Sequence, residues 1–264
     1  MKKLTALILA AVMCALCFAG CGKKDASDWE TIQKKGKLVV GITEYEPMNY
    51  KDENGNWTGF DTEFALAVGA ELGVEVEFYV IDWDNKILEL DSKAIDCVWN
   101  GMTLTEEVLN GMSCTDAYIK NAQVVVMKAD KAAQYTTVES MKSLKFSAES
   151  GSAGEAAIKE QGLDGSYTAV LDQASALLEV ESGAADACVI DITMANAMTG
   201  EGTSYADLTY TLSLTSEEYG IGFRKGSDMP AKVNEIIKKL VDNGKLDEIA
   251  AKYDLTNALV SNQK

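Results

Sequence analysis

The chain has 264 residues, 41 acidic against 24 basic, for a net charge of −17, and 47% of it is hydrophobic. Such a surface repels nucleic acid and anionic lipid, so neither is an expected partner. There is no histidine and a single arginine, Arg224, which excludes Ser-His-Asp and Cys-His catalysis and the commonest zinc sites, and leaves one candidate for a bidentate carboxylate clamp.

Lys2 and Lys3 precede an apolar run, "LTALILAAVMCALCFAG", too short to span a bilayer comfortably and ending in Ala19-Gly20-Cys21. The pattern resembles a bacterial lipobox, which implies a signal peptide over 1–20, a lipid anchor on Cys21 and an extracytoplasmic domain held at the cell membrane. An ordinary secretory signal is the alternative. Without residues 1–20 the chain keeps 22 basic and 41 acidic residues, a net charge of −19. Residues 21–36 read as a polar tether leading into a short helix.

Beyond the tether, "KLVVGI" is a buried strand, and Asn54-Gly55 between aromatic flanks signals a hairpin. "TEFALAVGAELG" has helical spacing, with Asp61 as its cap and Gly73 as its stop. "VEVEFYVI" alternates as a strand, a short helix spans 85–90, and "AIDCVW" is the next strand. Thr103 followed by Glu106 is a capping-box pattern, so a helix start is expected at Thr103 or Thr105, a place suited to an anion. "AQVVVMKAD", "LKFSAES", "YTAVL" and "ADACVID" are further strands, with helices after each of the last three. "YGIGFRKG" is a strand, and two helices close the chain, the first with Ser227 or Asp228 as cap, Pro230 in its first turn and Gly244 as stop.

Strands alternating with helices indicate an α/β protein, and the repeated order indicates two lobes. Each lobe is expected to be a mostly parallel sheet flanked by helices, with lobe 1 over 37–125 and 218–264 and lobe 2 over 126–217. Two crossing strands would form a hinge, with the cleft at the strands' carboxyl ends. Cys97, Cys114 and Cys188 read as free thiols, a Cys97–Cys114 disulfide being the alternative.

Three loops fall at that cleft, "GITEYEPMNY", "NGMTLTEE" and "ESGSAGE", together with Trp83 in "VIDWDN" and Asp191 in "ACVID". The order "GKLVVG", "DENGNWTGFD", "IDW", "AIDCVWNGMTLT", "ESGSAGE", "DACVID" and "YGIGFRKG" resembles the family 3 extracellular solute-binding proteins, the amino-acid receptors of ABC importers. The likeness runs from about Gly36 to Tyr253. It implies that Tyr45 and Trp83 sandwich a ligand side chain. Asn100, Gly101 and Thr103 would form the first-lobe loop, Gly101 and Thr103 receiving the ligand's amino and carboxylate groups. Ser152 and Ala153 would donate to the carboxylate, and Asp191 would pair with the α-ammonium. It further implies ABC permease subunits as partners, a monomer, no cofactor and no metal.

One departure stands out. The family places an arginine five residues beyond Thr103 as the carboxylate clamp, and this chain has Val108 there. Arg224, on the returning hinge segment, is not expected to reach the cleft. Either the ligand carboxylate relies on helix N–H groups and Thr103, or the ligand lacks a free α-carboxylate. Asp191 and Glu149, with Glu44 and Glu46 as further cleft candidates, favour a cationic or amine-rich solute. A dehydratase or hydrolase, or a sensory ligand-binding module, is the alternative on the same scaffold.

Overall fold

In the computed structural model, residues 27–263 are described; the leader and Cys21 lie outside them. Among the described residues no helix is long and apolar enough to cross a membrane. Two five-stranded sheets form the chain. The first has the order β4-β1-β5-β14-β6, and the second β10-β9-β11-β8-β12. Their strands are β1 (Lys37–Ile42), the hairpin β2 (Tyr50–Lys51) and β3 (Trp57–Thr58), β4 (Glu75–Val80), β5 (Cys97–Val98) and β6 (Met112–Cys114). The chain continues through β7 (Ile119–Asn121), β8 (Gln123–Lys128), β9 (Phe146–Glu149), β10 (Tyr167–Val170), β11 (Ala187–Asp191), β12 (Leu208–Ser213), β13 (Glu217–Tyr219) and β14 (Gly222–Arg224).

In each sheet four strands run one way and one runs the other: β14 in the first, β8 in the second. The physical reason is the hinge. β7 and β13 pair antiparallel as a two-stranded ribbon, and the chain leaves that ribbon directly into β8 or β14. A strand entering from the cleft side must run against strands whose carboxyl ends face the cleft. The first crossing is therefore at Ile119–Asn121. The strand of the second sheet that follows it, β8, begins at Gln123.

Burial follows pattern. β8 and β11 are buried along both faces: Val124, Val126, Cys188 and Ile190 face one core, and Val125, Met127, Ala187 and Val189 the other. Continuous apolar runs mark strands covered on both sides, which is why these two were legible from sequence. The final helices, Met229–Asp242 and Lys245–Lys252, pack against helix Phe60–Leu72 of lobe 1, with Tyr253 donating to Glu63 at 2.7 Å.

Several local expectations change. The short helix expected at the end of the tether is Asp28–Lys35, and it does not hang free but docks on lobe 1 by buried Ile32 and by Arg224, whose guanidinium donates to Asp28 at 2.9 and 3.0 Å and to the Leu90 and Ile95 carbonyls. The lone arginine is thus structural and remote from the cleft. Asp61 does not cap its helix; Gly59 is the capping residue. Asp61 is instead fully buried and accepts from the Trp99 indole, the Gly101 N–H and the Tyr118 hydroxyl. Asp228 likewise makes no side-chain cap and takes the Trp29 N–H. Cys97, Cys114 and Cys188 are free.

Candidate functional site

A cavity of about 380 Å³ lies between the lobes, lined from lobe 1 by the Trp83–Lys86 turn and the 100–108 loop, and from lobe 2 by the 149–157 loop and helix start, Gln173 and Asp191. Its volume suits a small molecule, for which sites of about 300–1,000 Å³ are usual. The lining comes from the carboxyl ends of β5, β9 and β11, where open α/β sheets gather ligands. The lobes touch across its rim: Lys86 Nζ donates to the Gly151 carbonyl at 2.9 Å.

The cavity is acidic. Glu106, Glu107, Glu149, Glu160, Asp191 and Glu217 line it against one cation, Lys86. Asp191 is buried, with Oδ1 accepting from the amides of Asn121 and Gln123 and Oδ2 from that of Gln173. Glu217 Oε1 accepts from the same Asn121 and Gln123 amides at 2.7 Å, and from the Thr103 hydroxyl at 2.8 Å. Two carboxylates therefore share two amides beside the hinge, with no cation of the described residues on either. Burial pushes the Asp191 carboxyl up to about 7, and the Glu217 charge adds to the shift. Glu149 is raised well above the usual carboxylate range, first by burial and then by Asp191 and Asp172. Its Oε1 is buried with no hydrogen-bond partner, an arrangement that is costly unless a ligand supplies a donor.

The structure brings Trp83, Asn100, Gly101, Thr103, Val108, Glu149, Ser152, Ala153 and Asp191 to this one cavity. Several do other work there. Asn100 takes the N–H and hydroxyl of Thr43 on its Oδ1, fixing the loop after β5 to the end of β1. Gly101 gives its N–H to Asp61, and its φ of +55° with Tyr45 Cε1 2.6 Å from any added Cβ leaves room for glycine alone. Thr103 donates to Glu217 rather than capping; the cap of helix Glu106–Gly111 is Thr105, which takes the Val108 N–H. That helix has only six residues, and Val108 is buried in an apolar cluster with Trp83 and Met112. Ser152 caps helix Ala153–Glu160 by accepting from Glu155.

Tyr45, Glu44 and Glu46 are not in the cavity wall. The Tyr45 ring is buried, and its hydroxyl bonds Tyr219 at 2.6 Å and Thr193 of lobe 2. It tethers lobe to hinge instead of facing solute. Glu44 is exposed and Glu46 half-buried, as loop acids that solvent can stabilise. Sequence reasoning missed Lys86, Gln123, Gln173 and Glu217. A charged lysine inside the otherwise apolar start of "KILEL" was the available signal for Lys86. The other three carried none, since polar residues next to a crossing strand are ordinary. Among the described residues no group of three or more His, Cys, Asp or Glu is arranged to hold a metal.

Two α/β lobes on a two-strand ribbon, closing on a small polar cavity at strand ends, define a hinged binding protein for a small solute. Residues 38–256 match the bacterial extracellular solute-binding proteins, family 3, and the chain belongs to that family. It is 31% identical over 260 residues to the arginine-binding extracellular protein ArtP of Bacillus subtilis, across 96% of this chain and 98% of that one. The crystal structure of the ancestral amino acid-binding protein AncCDT-1, a precursor of cyclohexadienyl dehydratase, superposes with a TM-score of 0.79 at 33% identity, covering 86% of this chain and 99% of that chain. A substrate-binding protein of an ABC uptake transporter from Streptococcus pneumoniae with bound histidine gives a TM-score of 0.79 at 27% identity, covering 90% and 100%. The protein is an extracellular solute-binding protein and not an enzyme.

Proposed function

We propose that the protein captures an amino acid bearing an extra amine or other cationic group and delivers it to an ABC permease. The observation that carries this reading is the acidic wall of buried Asp191 and Glu149 with half-buried Glu217, none of them ion-paired with another described residue. A cationic solute would neutralise carboxylates whose burial is otherwise unfavourable. The relatives that bind arginine and histidine support the amino-acid class. Asp191 is the acid for the α-ammonium, with Gln123, Gln173 and Asn121 orienting it; Trp83 supplies apolar cover for the ligand side chain. Closure of the lobes around the solute gives the permease a shape to recognise.

A melting-temperature screen over L-amino acids, polyamines and short peptides tests this. A basic amino acid at 100 times its Kd is expected to add about 2.7 kcal/mol of stability. Shifts confined to acidic or purely apolar solutes would contradict it. The leader motif further supports a lipid anchor on Cys21, with the domain at the outer face of the cell membrane. In that case Cys21→Ser releases the protein from the membrane fraction, and unchanged membrane association would rule the anchor out.

A further inference from the structure

We propose that Lys86 is the group that recognises the solute's carboxylate, so that the ligand is an amino acid and not its decarboxylated amine. This rests on reading the interlobe cavity as the solute site, and it resolves the question left by Val108.

Lys86 opens helix Lys86–Asp91 directly after the turn Trp83–Asn85. Its side chain is 4% exposed and lines the cavity, whose wall holds no other cation among the described residues. The ammonium donates to the carbonyls of Gly151 at 2.9 Å and Trp83 at 3.3 Å and sits 5.3 Å from the centre of the Trp83 ring. An ammonium has three donors, and two are used on neutral carbonyls. No carboxylate of the described residues lies within ion-pair distance of it. A desolvated ammonium without a counter-anion is held at a cost, and burial lowers its proton affinity while Glu107 and Glu149 oppose that.

The place is suited to an anion on independent grounds. Gly151, which Lys86 touches, leads into helix Ala153–Glu160, an eight-residue helix. Ser152 takes the Glu155 N–H and the Glu155 carboxylate takes the Gly151 N–H, which leaves the N–H groups of Ala153 and Gly154 without an intrahelical acceptor. Ala153 lies on the cavity wall. An ammonium beside a helix N-terminus forms a carboxylate cradle. On the same second-lobe side of the cavity, Glu149, at the head of the loop that carries Gly151, keeps an unpartnered oxygen, and Asp191 has amides but no cation. One cavity thus holds an unanswered cation on one wall and unanswered anions on another, and no direct bridge joins them. A zwitterion with a further amine answers both.

The test uses matched pairs differing only in the carboxylate: L-arginine and agmatine, L-ornithine and putrescine, L-histidine and histamine, titrated calorimetrically into wild type, Lys86→Gln and Lys86→Arg at pH 8. In wild type the acid member of the pair that binds is expected to be at least about tenfold tighter. Lys86→Gln is expected to lower its affinity by about 10- to 100-fold while leaving the amine member unchanged, and Lys86→Arg to recover much of the loss. Loss of the Lys86–Gly151 contact alone would weaken both members equally, because closure serves any solute; that result overturns the proposal. So does equal binding of acid and amine by wild type, or an unaffected Lys86→Gln protein. If basic amino acids other than these bind while Lys86→Gln leaves them untouched, the cavity reading survives and this inference alone falls. If no pair and no other amino acid binds wild type, both fail together.

Discussion

Asp191→Asn is expected to weaken binding of an amine-bearing solute on the order of a hundredfold or more, while the ligand-free melting temperature holds or rises. Truncating one side of a buried hydrogen-bonded charge pair costs about 2–5 kcal/mol of affinity, and Asp191 is the acid most tightly positioned in the cavity. The stability of the empty protein moves the other way. Asp191 and Glu217 share the amides of Asn121 and Gln123 without a cation, so removing one charge relieves repulsion and desolvation together. The side-chain amide of asparagine keeps the shape, its Oδ1 still accepting from Asn121 and Gln123, and only the contact with the Gln173 amide is given up. Calorimetric affinity and a melting scan on the same preparations check both halves. Equal affinity would remove Asp191 from the site. A fall in affinity together with a fall in melting temperature would make its role structural.

Acidification is expected to stabilise the empty protein and weaken its grip on solute over the same pH range. An aspartic acid whose folded pKa lies above its ordinary 3.8 holds its proton more tightly when folded. Burial puts Asp191 and Asp61 in this class, each pushed up to about 7, and Glu149 moves in the same direction. As pH rises from about 4 to about 7, the folded chain gives up protons that the unfolded chain has already lost. Stability then falls by up to about 1.4 kcal/mol per pH unit for each group, and for the two aspartates the loss is complete above about 7. Carboxylates held below their ordinary range, such as Glu63 and Glu155, give the opposite trend only below about 4.5, outside this window. Binding of a cationic solute needs Asp191 ionised. Its affinity should fall by up to about tenfold per pH unit below 7 as that carboxylate takes up a proton. Melting temperature measured without solute, and Kd measured with it, from pH 8 to pH 5.5 give the two curves. A Kd flat across that range would show that the solute's partner does not titrate there.

The strands buried on both faces could be read from the chain because an uninterrupted run of apolar side chains is stable in a strand only where both faces are covered. β6, β7 and β13 could not: each has three residues, and their place depends on the hinge ribbon rather than on a pattern of their own. Helix caps were the least legible. Asp61 has the right type at the right offset to cap its helix, yet its side chain turns inward to Trp99, Gly101 and Tyr118, two of them about forty residues further along the chain. The same limit separates Tyr45 from Trp83. Both are aromatics on cleft loops, but Tyr45 finds Thr193 and Tyr219, more than a hundred residues away, and that contact draws the ring off the cavity. The cavity acids were partly visible: Asp191 and Glu149 end apolar strands, and strand ends are where such sheets place ligands. Glu217 and Lys86 acquire meaning only when the two lobes meet. Lys86 matters most, because a valine at 108 removes the expected arginine without removing every cation from the cavity.

Calorimetric titration of the basic L-amino acid that gives the largest melting shift, at pH 8 and low salt, is the most direct test of solute capture between the lobes. One site per chain is expected, with Asp191 releasing a proton on binding below pH 7 and none at pH 8. No saturable heat with any amino acid, or a stoichiometry other than one, would contradict it.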